Sequence, residues 1–198
     1  MLEQRIQQQF FESADLKYAA ADILAKPIAD AVSSIVGCIT AGGTVLACGN
    51  GGSASDAQHY AAEFDGRFER ERPGLAAISL TTDTSILTAI GNDYDFDAIY
   101  SKQVQALGAP GDVLLAISTS GNSANVLAAV AAARAKDISV IALTGRNGGK
   151  LRGLLTETDV LICVPHERTA RIQEVHILAL HCICDAVDLQ LLGEQENT

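Results

Sequence analysis

Five short apolar runs, at 45–48, 76–80, 113–117, 140–143 and 160–164, recur along this chain of 198 residues. Each is apolar, save for Ser79 in the second, and rich in β-branched residues, and helical stretches near 54–68, 84–91, 96–107, 122–136 and 149–155 lie between or after them. A strand wetted on one face alternates polar and apolar positions, whereas a continuously apolar strand has both faces covered. The pattern predicts an α/β fold, a parallel sheet flanked by helices on both sides. Ahead of the sheet, Ile6, Phe10, Phe11, Ala14 and Leu16 to Ala20 mark one amphipathic helix. Pro27 opens a second, with Ile28, Ala31, Val32, Ile35 and Val36 on one face and Gly42-Gly43 at its end. A final helix runs from about Thr169 through Leu192. With no linker, repeat or low-complexity segment, residues 1–198 are expected to form a single domain. The apolar stripe of the N-terminal helices 1–41 is equally suited to the chain's own sheet and to a partner subunit.

The formal net charge of −10 argues against direct nucleic-acid binding, which needs a basic face to displace counterions. It leaves room for a small anionic substrate, because a local site can be positive on an acidic protein. The cysteine count is odd (Cys38, Cys48, Cys163, Cys182 and Cys184), and Cys48 and Cys163 lie inside strand-like runs, so they read as small buried hydrophobes. The N-terminus has no apolar signal core, and no apolar segment is expected to span a bilayer. A cytoplasmic, reduced protein is the expectation.

One apolar run carries a chemical message. Val113-Leu-Leu-Ala-Ile-Ser-Thr-Ser-Gly-Asn-Ser123 is a strand that stops in hydroxyls, Gly and Asn, with an Ala-rich helix directly after. Free backbone N–H groups and the positive end of the helix dipole make such a junction an anion site. Hydroxyl side chains add donors without charge, which suits a phosphate monoester that must bind and leave. The arrangement recurs where Val45-Leu-Ala-Cys-Gly49 runs into Asn50-Gly-Gly-Ser-Ala-Ser55.

His59 and Glu63 follow the first of these loops four residues apart, a spacing that places both side chains on one helix face. Such a pair binds a metal, acts as acid and base, or forms a surface hydrogen bond, and the last is commonest. Its place beyond an anion loop, at the carboxyl edge of a strand, weighs toward chemistry. On the last helix Gln173 and His181 are roughly 80° apart around the axis, two polar interruptions of a stripe with Ile177 and Leu180. Buried polar groups cost energy unless paired, so a partner is implied. Asn92-Asp93 forms a third polar loop, and Arg67 is either a phosphate counter-charge or a solvated side chain.

In combination, Cys48-Gly-Asn-Gly-Gly-Ser53, Asp56-Ala-Gln-His59-Tyr-Ala-Ala-Glu63, Gly91-Asn-Asp93, Ser118-Thr-Ser-Gly-Asn-Ser123 and Ala170-Arg-Ile-Gln-Glu-Val-His176 with His181 closely resemble the bacterial phosphoheptose isomerases. These are sugar-isomerase (SIS) domain proteins that convert sedoheptulose 7-phosphate to D-glycero-D-manno-heptose 7-phosphate for lipopolysaccharide core synthesis. The resemblance covers nearly the whole chain. It implies a flavodoxin-like, five-stranded parallel sheet and a homotetramer with sites at subunit boundaries. It also implies one zinc ion per subunit held by His59, Glu63, Gln173 and His181, with Glu63 as base and His181 as acid. Phosphate contacts map onto Ser53, Ser118, Thr119, Ser120 and Ser123. Sugar contacts map onto Asn50, Gly51, Gly52, Glu63, Asn92, Asp93 and Gln173. Ala170 departs from the family pattern, since some members carry an Asp there.

A second resemblance competes. Glu71-Arg-Pro73, Leu115-Ala-Ile-Ser118 and Cys182-Ile-Cys-Asp185 are shared with a non-catalytic tetrameric adaptor that binds the bacterial replication initiator DnaA. That relative tends to lose the acidic residue at position 63 and the His at 181. Retention of both favours the enzyme.

Overall fold

The structure, a computed structural model, describes residues 1–194; residues 195–198, part of the expected domain, lie outside the described residues. Helix α1 (Leu2–Thr40) precedes β1 (Val45–Gly49), α2 (Gly52–Asp65), β2 (Ala77–Ser79) and α3 (Thr84–Asp93). A 3-10 turn at Phe96–Ala98 leads to α4 (Ser101–Leu107), β3 (Val113–Ser118), α5 (Ala124–Arg134) and β4 (Ser139–Gly145). Then come α6 (Gly149–Arg152), β5 (Val160–Val164) and α7 (Thr169–Leu192). The strands form one parallel sheet in the order β2-β1-β3-β4-β5, the flavodoxin-like arrangement.

The side-chain period of two sorts the strands between two cores, except at the edge strand β2, whose Ile78 is exposed. Val45, Ala47, Val113, Leu115, Ile141, Leu143 and Ile162 meet α1, α2 and α7 on one face. Leu46, Cys48, Leu114, Ala116, Val140 and Ala142 meet α4, α5 and α6 on the other. Both sets are buried, which is why the runs read as continuously apolar.

Two helix boundaries differ from the sequence expectation. The N-terminal segment is one helix of 39 residues with Pro27 inside it, where two were expected. Proline removes one N–H and crowds the carbonyl four residues earlier, a cost that usually ends a helix. Here Leu16, Ala20, Leu24, Ala31, Val32, Ile35 and Cys38 form a buried stripe that runs past Pro27, seated on α7 and β5. Tertiary burial outweighs the local penalty. The stretch 96–107 is divided, because Tyr100 turns inward between the 3-10 turn and α4.

By length and composition alone, α1 and α7 are also apolar enough to cross a membrane, with windows of mean hydropathy 1.5 and 1.6. That differs from the sequence expectation. Both act here as packed helices, and α7 buries the polar residues Arg171, His176 and Asp188 in its contact face.

Candidate active site

Strands β1 and β3 are neighbours, yet their helices leave toward opposite faces, α2 with the first core and α5 with the second. A crevice therefore opens beyond the carboxyl ends of β1 and β3, at the topological switch point where ligands bind in open α/β sheets. Both hydroxyl-rich loops lie there.

Gly51 takes φ +57°, which lets the chain turn from β1 into α2. Asn50 is tied across the crevice by a reciprocal amide pair with Asn125 at 2.8 and 2.9 Å. Tyr100 donates its hydroxyl to the Gly49 carbonyl at 2.5 Å. After β3, Gly121 N–H donates to the Ser118 carbonyl (2.9 Å), and the Ser118 and Ser123 hydroxyls meet at 3.0 Å. Ser120 Oγ accepts from the Asn122 N–H at 3.2 Å, which leaves the hydroxyl proton free to donate. At the start of α2 the Ser53 and Ala54 N–H groups are taken by the carbonyls of Asn50 and Gly51, both at 3.0 Å, whereas Ser123, at the N-cap of α5, makes no side-chain cap bond, so first-turn N–H groups of α5 remain available. Ser53 and Ser118 are buried at the base, while Thr119, Ser120 and Ser123 are half-buried. The whole is a neutral, donor-rich anion cradle.

Helices α2 and α7 carry the second half of the site. His59 Nε2 lies 2.9 Å from His181 Nε2 and 3.2 Å from Glu63 Oε1. The two imidazoles meet edge to face, and Phe68 lies beside His181. The ligand-type atoms of His59, Glu63 and His181 all fall within 4.8 Å of one another. Zinc–nitrogen and zinc–oxygen bonds near 2.0–2.2 Å give tetrahedral edges of roughly 3.3 Å, close to these separations. The donor set is two imidazoles and a carboxylate, half-buried and open on one side, as in catalytic rather than closed structural zinc sites. These residues fit the metal.

Gln173 lies nearer the loops. A Cβ on Gly52 would meet its side-chain amide at 2.5–3.1 Å, so glycine there leaves room for Gln173. Helical side chains lean toward the N-terminus of their helix, so the imidazoles of His59 and His181 reach back toward the level of Gln173. Asn92 and Asp93 are exposed at the end of α3 and bond to each other (2.8 Å). Among the described residues no hydrogen bond joins them to either loop. No residue of α3 is buried, and Tyr94 and Phe96 beyond it are exposed. Arg67 is a surface residue paired with Glu71 at 2.9 Å, and Ala170 is exposed in the first turn of α7.

Asp56, one turn before His59, has its carboxyl lifted to about 6 by burial, with the charge of His59 opposing the rise. His176 is fully buried on α7, with Nε2 2.9 Å from the Thr144 carbonyl of β4. Neither His176 nor the braces Asn125 and Tyr100 is assigned a role by sequence pattern. Only the polar Asn125 in the first turn of an otherwise apolar helix gives a hint.

A doubly covered 2-1-3-4-5 sheet with hydroxyl loops at its switch point is the architecture of an SIS domain, and residues 9–145 match the SIS domain family. Over 198 residues the chain is 80% identical to the phosphoheptose isomerase of Methylibium petroleiphilum, covering 100% of this chain and 99% of that one. It is 62% identical to that of Aromatoleum aromaticum over 193 residues, with 98% of each chain covered. The solved phosphoheptose isomerase of Neisseria gonorrhoeae superposes with a TM-score of 0.91 at 57% identity, over 95% of this chain and 99% of that one. That of Francisella tularensis gives 0.92 at 44%, over 95% and 98%. The chain belongs to the phosphoheptose isomerase family of SIS-domain proteins.

Proposed function

We propose that this chain converts sedoheptulose 7-phosphate to D-glycero-D-manno-heptose 7-phosphate through an enediol, in the cytoplasm, supplying ADP-heptose and lipopolysaccharide core synthesis. The observation that carries the reading is the meeting of Glu63, His59 and His181 on two helices whose loop ends flank a hydroxyl-lined anion cradle. The initiator-binding adaptor has no observation in its favour. An adaptor would keep this polar set at a cost in stability without use for it.

Isomerisation moves one proton between carbons and one between oxygens. Glu63 takes the proton from C1 of the ketose and returns it to C2. His181 gives a proton to the C2 oxygen and receives one from the C1 oxygen. Each transfer is general acid–base catalysis, and charge and atoms balance over the cycle. His59, in reach of both, holds carboxylate and imidazole in place. Ser53, Ser118, Thr119, Ser120 and Ser123 bind the phosphate, which anchors the far end of the sugar. Asn50, Gly51, Gly52, Asn92, Asp93 and Gln173 contact the sugar hydroxyls.

His59, Glu63 and His181 would hold zinc, with Gln173 as fourth donor. When bound, zinc supplies electrophilic polarisation of the carbonyl oxygen and stabilises negative charge beside it. Protein purified without chelator should carry about one zinc ion per subunit, lost on acidification because imidazole binds metal only when neutral. Metal analysis checks this, and failure to bind added zinc would remove the role. We infer a homotetramer in which the apolar faces of α1 and α3 are covered by partner subunits. The exposed Phe10, Phe11, Tyr94 and Phe96 support that assembly.

The deciding experiment mixes purified protein with sedoheptulose 7-phosphate, follows aldose formation, and measures affinity for the initiator in parallel. Turnover with no initiator binding is expected. No turnover with or without zinc would overturn the reading. Ser120→Ala removes one of several phosphate donors, so substrate binding should weaken by about 1–2 kcal/mol with the fold intact. Inhibition by inorganic phosphate, compared between the variant and wild type, reads this directly.

A further inference from the structure

Arg72 and Asp188 are withdrawn from water almost completely, with side chains 1% and 2% exposed and Nε 2.5 Å from Oδ1. Arg72 lies in the segment after α2, and each nitrogen of its guanidinium donates a hydrogen bond. Nη2 donates to the Glu63 carbonyl at 2.8 Å, and Nη1 donates to the carbonyls of Phe64 (2.9 Å) and Pro73 (3.3 Å). Those of Glu63 and Phe64 belong to the last turn of α2 and have no partner within the helix, and a cation there also suits the helix dipole. Asp188 stands on α7 seven residues beyond His181, two turns along the same side. One arginine thus grips α2 at Glu63 itself and α7 below His181. Cys184 lies in the same patch, its thiol pushed up to about 12 by burial and then by the charges of Glu63 and Asp188, with Arg72 opposing.

A buried ion pair is often no more stabilising than apolar residues of the same volume, so stability alone is a weak reason for this one. We propose that Arg72 and Asp188 are a positioning pair that sets the spacing of α2 and α7. In this way they hold the carboxylate of Glu63 and the imidazoles of His59 and His181 within reach of one another. The inference rests on the reading of Glu63 and His181 as base and acid. Arg72 is bonded to backbone and to Asp188, and acts through the helices. The anion cradle, at the opposite ends of α2 and α7, is built without it.

Two variants test the pair. Arg72→Lys keeps the charge opposite Asp188, but one compact ammonium cannot span the carbonyls of Glu63 and Phe64 together with the carboxylate. The double variant Arg72→Met with Asp188→Leu removes both charges and leaves none unpaired. The expected result is a folded protein whose kcat falls by about tenfold or more, because small misplacements of reacting groups are costly. KM should stay within about twofold of wild type. Zinc affinity of the metal-free protein, read by competition with a chromophoric chelator, should fall by about 10–100-fold. Wild-type kcat and zinc affinity in either folded variant would overturn the proposal. So would kcat and KM changing together in step with a lowered melting temperature, or failure of both variants to fold, each of which assigns the pair to stability alone. Wild-type turnover is measured first, so a wrong activity reading shows itself there, while chelator competition still tests the strut.

Discussion

Glu63→Gln is expected to leave fold and assembly intact while lowering kcat for sedoheptulose 7-phosphate by about 10²–10⁴-fold, the usual contribution of a general base. The substitution is nearly isosteric. The backbone carbonyl of residue 63 still accepts from Arg72, and the amide oxygen still lies beside His59. What disappears is the capacity to take a proton from carbon. Aldose formation gives kcat, circular dichroism and melting temperature report the fold, and zinc content is measured alongside because an amide is the weaker ligand. A variant that keeps more than about half of wild-type turnover would sink the assignment. His181→Gln should behave alike. The double variant should fall far less than the product of the two, since both residues serve one proton-transfer pathway.

The parts of the fold that rest on periodicity were readable in advance. Strand β5 and helix α7 lie where their patterns begin and end, because a short β-branched run and a long amphipathic stripe each have one economical way to be buried. Local rules failed where distant contacts decide. Pro27 reads as a helix start, but α7 and β5 hold α1 together through it. Tyr100 falls within a helical pattern, yet its hydroxyl is drawn to the Gly49 carbonyl. Residues 52 and 53 read as loop, whereas α2 begins at Gly52, close enough to β1 that a side chain on Gly49 would meet the backbone of Ser53.

The site divides in a similar way. The cradle was legible because a strand ending in Ser, Thr and Gly before a helix is a local statement. The pairing of His59 with His181 spans 122 positions, and only family resemblance linked them before the helices did. Arg72, His176 and Tyr100 were given no role for a different reason. Apart from the Asp188 carboxylate, 116 positions from Arg72, their acceptors are backbone carbonyls of Glu63, Phe64, Thr144 and Gly49, and a carbonyl is the same at every residue. No side-chain pattern can announce such a partner.

His176 leads to the largest expected effect on stability. Burial pushes its imidazole down from 6.5 to about 4, with the bond to the Thr144 carbonyl opposing the fall in part. The folded protein therefore keeps this ring neutral at pH values where the unfolded chain already protonates it. Between pH 6.5 and about 4 the unfolded state binds the extra proton, so the contribution is fully present above 6.5 and is lost as pH falls through that window. The loss amounts to about 3 kcal/mol. Asp56 acts in the opposite sense, because a carboxyl lifted to about 6 favours the folded state as it protonates, so the whole-protein curve alone does not isolate the histidine. His176→Gln does isolate it, since the amide can still donate to Thr144 and does not titrate, and Asp56 is common to both proteins. Urea unfolding at fixed protein concentration should show wild type losing stability relative to His176→Gln as pH is lowered from 6.5 to 4. Parallel curves across that window would mean that the ring is protonated, or wetted, in the folded state, and would refute its role as a neutral tie between α7 and β4.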